Sequence, residues 1–157
     1  MTEDQLEQEA LSWLVDTGYR HIYGPDLAPD GELAERVDYR QVLLVERLRA
    51  AIDMLNPDIP LVAREAALRV VQNLDMPALL SANRLFHGLL VNGEPVEYQK
   101  DGETRGDFVR LIDFEQVDSN EWLAINQYSI KGPHHSRGGS VLCSLSITHE
   151  IFFHVCE

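Results

Sequence analysis

Near Asn92-Gly93 the spacing of apolar residues changes character. Before it they recur every three or four positions; after it they fall into short runs rich in β-branched and aromatic side chains. Such a chain fits neither an all-helical bundle nor a β-sandwich. The expected class is α/β, an N-terminal helical half followed by an antiparallel β-meander.

Thr2-Glu3-Asp4-Gln5 has the form of a capping box, and Leu6, Ala10, Trp13 and Leu14 follow it, so a helix is expected over about residues 2–17, closed by Gly18. Tyr19 to Tyr23 reads as a short strand, and Gly24-Pro25-Asp26 with Pro29-Asp30-Gly31 as a loop. A second helix is expected from Tyr39 to Leu55, stopped by Asn56-Pro57. Ile59-Pro60 opens a third and Pro77 a fourth, which Asn92-Gly93 ends. Val96 with Tyr98, Phe108 to Phe114 and Trp122 to Ile130 then read as three strands, separated by Asp101-Gly102 and Asp118-Ser119-Asn120.

At 157 residues one domain is expected, burying roughly two thirds of the surface of the unfolded chain. Hydrophobic residues at 45% and charged residues at 25% exclude disorder and a disulfide scaffold. Without an apolar run of roughly 18 to 20 residues, and with acidic residues where a secretory leader is basic, a cytoplasmic location is expected. Cys143 and Cys156 read as reduced, incidental thiols.

The net charge of −13 repels polyanions, which argues against autonomous binding to nucleic acid. Residues 1–60 carry 13 acids against 5 bases and residues 61–132 carry 11 against 7, so any contact with DNA is expected in the C-terminal half.

Among residues that can carry chemistry, Glu7 stands out because a helical wheel places it inside the apolar arc of the first helix. A carboxylate so placed needs a metal, a cation or hydrogen-bond donors. Taken alone, a peripheral or arginine-paired Glu7 is the simpler reading. The sign-alternating Glu35 to Arg40 reads as a solvated lead-in to a helix, and His87 as an ordinary helix residue beside Asn83-Arg84. His134, His135, Cys143, His149, His154 and Cys156 have the donor atoms of zinc ligands, but no Cys-x-x-Cys accompanies them and they read as incidental. No phosphate loop, dinucleotide fingerprint or nucleophile elbow occurs.

Several segments, in order, resemble the N-terminal region of the R subunit of type I restriction enzymes, which carries an endonuclease and an ATP-driven DNA motor. They are Leu6-Glu7 with Trp13-Leu14 and Gly18-Tyr19; Glu35 to Arg40 with Leu43-Leu44; Leu55-Asn56-Pro57; Asn83 to His87; Leu111-Ile112-Asp113-Phe114; and Asn120 leading to Asn126-Gln127-Tyr128-Ser129-Ile130. The likeness spans about residues 2–137. It implies a restriction-endonuclease-like fold whose sheet presents an Asp and a Glu-x-Lys pair, with a Glu of the first helix completing a Mg²⁺ site. Glu7 looks like that helix acid, and it is the expected catalytic and metal-binding residue. Lys131 and Arg137 are the positions expected to meet DNA. Modification (methyltransferase) and specificity subunits are the implied partners.

The resemblance implies an Arg-Arg-Pro-Asp turn and a Glu-Leu-Lys shortly after the Asn126 to Ile130 segment. This chain continues instead Ser136-Arg137-Gly138-Gly139-Ser140, with neither motif. Residues 2–132 are therefore expected to form an incomplete nuclease-like domain, and residues 133–157 an atypical tail, accounted for by a shift of reading frame at or just after Arg137. Without the Asp and the Glu-x-Lys, no metal is expected to be held and no cleavage to occur. A non-catalytic module that docks on a modification subunit is the alternative, because an acidic surface suits a basic protein better than DNA.

Overall fold

A computed structural model describes residues 2–74, 79–131, 136–137, 141–146 and 149–154; for residues 3 and 79–83 and for everything beyond 131, the backbone alone is considered. The start of the fourth helix at Pro77, residues 132–135 and 138–140, and Cys156 lie outside the described residues. The chain divides into two compact units, Met1–Leu44 with Glu121–Glu157, and Val45–Asn120.

The first unit begins with helix α1, Glu3–Asp16. Thr2 Oγ1 accepts the Gln5 N–H at 3.3 Å and Gln5 Oε1 accepts the Thr2 N–H at 3.0 Å, which completes the expected capping box. At the other end Tyr19 N–H bonds Leu14 O and Gly18 N–H bonds Val15 O, a Schellman closure that needs the φ of +100° adopted by Gly18. The packed face of α1 differs from the expected one. Glu7 and Leu11 are buried, whereas Leu6 is 46% and Trp13 64% exposed. The stripe laid on the sheet is centred on Leu11, and Leu6 and Trp13 stand roughly 140° and 160° round the helix from it.

Strand β1, Arg20–Tyr23, runs parallel to β4, Trp122–Asn126, with Arg20 opposite Leu123 and Tyr23 opposite Asn126. Beyond β4 come β7, Val141–Ser146, and β8, His149–His154, both antiparallel, for a sheet order β1-β4-β7-β8. Helix α1 packs on β1 and β4. A further ribbon pairs β5, Ile130–Lys131, with β6, Ser136–Arg137. Leu27, Leu44, Leu123, Ile125 and Tyr128 form the core of this unit, with Ile22 and Ile130 against it. Gly24 lets the chain after β1 close on the chain after β4, since a Cβ there would lie 2.6 Å from Asn126 O.

The second unit holds α2, Val45–Leu55; α3, Leu61–Gln72; α4, Leu79–Asn92; and a hairpin of β2, Glu94–Lys100, with β3, Glu103–Val109. Leu48, Ala51 and Ile52 on α2 and Ala63, Ala67, Leu68 and Val71 on α3 are buried. Asn56, itself buried, ends α2 and ties it to the chain after β3: its Nδ2 donates to Ile52 O and Arg110 O, and its Oδ1 accepts the Arg110 N–H, each at 2.8 Å. The hairpin turns at Asp101-Gly102, with φ of +56° and +80° at the two positions.

Four expectations are corrected. Helix α2 starts at Val45, not Tyr39, because residues 39–44 run beside the β4–β5 turn, where Tyr128 Oη donates to Val42 O at 2.8 Å. Strand β3 ends at Val109 instead of running to Phe114; its first six residues are all exposed, so no alternation marks them. The Trp122 to Ile130 run divides into β4 and β5, parted at Gln127, whose φ is +56°. The three runs also do not form one meander: β2 and β3 make a sheet of their own, and β4 joins β1. Leu123, Ala124 and Ile125 are fully buried, so β4 needs cover on both faces and takes an interior place that the polar β3 cannot share.

Candidate functional site

At the C-terminal end of β4 two polar pairs lie beside the apolar core. The Gln127 amide Nε2 donates to Glu7, 3.1 Å from Oε1 and 3.3 Å from Oε2. Glu7 is 6% exposed, so both oxygens look into the protein. Residue 127 directly follows β4, and its left-handed backbone ends the strand there. Beside it, buried Asn126 accepts from His21 through Oδ1 at 2.8 Å, which makes His21 Nε2 the donor.

The turn that carries Gln127 is held from the other side by Arg36. This guanidinium is 3% exposed, sits 4.0 Å over the Tyr128 ring, and donates from Nη1 to Ser129 O at 3.0 Å and Gln41 O at 3.3 Å. The reading of Glu35 to Arg40 as wholly solvated is thus corrected at Arg36, whose planar cation finds an aromatic face and two carbonyls.

Lys131 lies on β5, exposed, its ammonium 4.8 Å over the Tyr39 ring and its N–H on Tyr39 O at 3.0 Å. Tyr39 in turn donates its hydroxyl to Asp30 Oδ1 at 2.5 Å. That bond holds the Asp30 carboxyl below its ordinary value and pushes the Tyr39 hydroxyl up. Arg137 stands opposite Ile130 on β6, so Lys131 and Arg137 are not cross-strand partners. Arg84 and His87 are exposed on α4.

A divalent cation prefers several oxygen ligands, carboxylates foremost. Among the described residues no three His, Cys, Asp or Glu side chains gather, and both Glu7 oxygens already face an amide donor. Sequence reading placed Glu7 on the packed face but assigned no role to Gln127, His21 or Asn126. The available signal was the polar Asn126-Gln127 closing the apolar run Trp122 to Ile125.

The family model for the type I restriction enzyme R protein N terminus matches residues 1–143. The chain belongs to this family. Two relatives are alike in extent: the putative type I restriction enzyme MjaIXP endonuclease subunit of Methanocaldococcus jannaschii, 36% identical over 135 residues, and the type I restriction enzyme HindI endonuclease subunit of Haemophilus influenzae, 36% identical over 132 residues. Each match covers 83% of this chain and 12% of the relative, so the chain spans about an eighth of their length. No solved structure matches. Among the described residues no helix is long and apolar enough to cross a membrane.

Proposed function

We propose that this chain supplies the scaffold of an R-subunit nuclease domain, with a restriction-endonuclease-like fold, but does not itself form a cutting centre. The mixed sheet with α1 across β1 and β4 supports the fold. The observation that carries the reading is the Glu7–Gln127 pair: the acid expected to hold metal is buried against an amide. In a type I enzyme the Asp and Glu-x-Lys would supply the further Mg²⁺ ligands and a Lys that helps orient the nucleophile, and this sequence has no Glu-x-Lys.

In this reading DNA, ATP and the modification and specificity subunits belong to the assembled enzyme. Strand β7 covers the edge of β4, and β8 that of β7, where the intact domain carries its catalytic hairpin. Titration with Mn²⁺ as a paramagnetic probe tests the metal claim. No selective broadening of Glu7, Asn126 or Gln127 resonances is expected at millimolar metal, and saturable broadening confined to those residues overturns it.

A further inference from the structure

Within the second unit a cleft of 480 Å³ runs between α3 and β2. Helix α3 lines it with a stripe of small apolar side chains, Ala63, Ala66, Ala67 and Val70, and β2 lines it with every residue from Glu94 to Gln99. A strand that lines a cleft with consecutive residues presents its edge, not one face.

The register of the hairpin says which backbone groups that edge offers. Lys100 and Glu103 flank the two-residue turn, so they, like Tyr98 with Arg105 and Val96 with Asp107, are the hydrogen-bonded pairs. The N–H and C=O groups of Glu97 and Gln99 therefore point away from β3. Among the described residues β2 pairs with β3 alone. Pro95 shares the outward phase, where its missing N–H costs no ladder bond.

The charge of the cleft is one-sided. Among the described residues its two carboxylates, Glu94 and Glu97, are accompanied by no basic lining residue, and burial pushes the Glu94 carboxyl above its ordinary value. Val62, also in the lining, is 78% exposed.

We propose that this cleft docks an extended segment of a partner protein, added as a strand to the free edge of β2, with apolar residues at alternate positions against α3 and Lys or Arg between them. Two outward N–H groups and three outward carbonyls supply main-chain recognition. The apolar stripe selects the alternate side chains, and Glu97, on the face of β2 opposite Val96 and Tyr98, selects positive charge between them. An acidic segment is rejected by the same carboxylate, and a helix cannot use the strand edge.

The test uses the full chain and a synthetic seven-residue peptide of alternating lysine and valine, blocked at both ends, with a glutamate–valine peptide as control. The lysine peptide is expected to give saturable NMR shifts on α3 and β2 and to slow amide exchange at Glu97 and Gln99 at least about tenfold, while the control gives neither. Glu97→Gln should weaken binding about threefold, as loss of a partly exposed charge pair does. Ala66→Arg, which fills the cleft from α3, should abolish it. Equal binding of both peptides, binding that survives Ala66→Arg with its spectrum intact, or no shift at millimolar peptide overturns the proposal. Concentration-dependent self-association that protects Glu97 and Gln99 without peptide would replace the partner by a second copy of the chain.

Discussion

Gln127 reaches across 120 residues of sequence to place its amide against both oxygens of Glu7. The pair joins α1 to the end of β4 and gives the buried Glu7 side chain an amide donor. Gln127→Ala leaves that carboxylate without its amide and is expected to cost about 1–3 kcal/mol. Replacing both residues with leucine removes the need, and the double variant should recover most of that loss. Urea unfolding of the single and double variants measures both.

Arg36 makes a second prediction. Lysine retains the charge but not the flat group over Tyr128 or the reach to Ser129 O. Arg36→Lys should lower stability by about 1–3 kcal/mol, the scale of an unsatisfied buried group. A denaturation midpoint within experimental error of the parent would contradict it.

In the loop after β3, Asp113 Oδ1 accepts the N–H of Gln116 and of Glu115, both at 2.9 Å. These bonds hold its carboxyl below the ordinary value of 3.8, the Gln116 bond more than the Glu115 bond. A depressed folded value means the contribution is present above pH 3.8 and is lost as pH falls through the folded value. Side-chain NMR titration should find the Asp113 midpoint below 3.8, and Asp113→Asn should remove that group's share of the acid-range slope.

Because β4 has β1 on one side and β7 on the other, both of its backbone rows are paired. Amides of Leu123, Ala124 and Ile125 should exchange among the slowest in the chain. Fast exchange at alternate residues of β4 would mean that β7 does not cover it in solution.

Much of the local structure was legible in the residues. The capping box at Thr2, the stop at Gly18 and the turn at Asp101-Gly102 are set by short-range hydrogen bonding and by φ, which a few neighbouring residues decide. Partners chosen over long distances were not. The parallel union of β1 with β4 spans about a hundred residues, and β3 carries no hydrophobic alternation to announce its length. Arg36 was missed because alternating charge usually marks a solvated segment, and only the tertiary fold brings the Tyr128 ring beneath it. Glu7 was found by its place on the wheel, while Gln127 had no periodic signal.

Incubation of supercoiled plasmid with the purified chain and Mg²⁺ bears on the main claim most directly. The plasmid is expected to stay supercoiled with Mg²⁺ present or absent. Nicking that requires Mg²⁺ and disappears in Glu7→Ala would show that this chain holds a working metal centre, against the account given for Glu7 and Gln127.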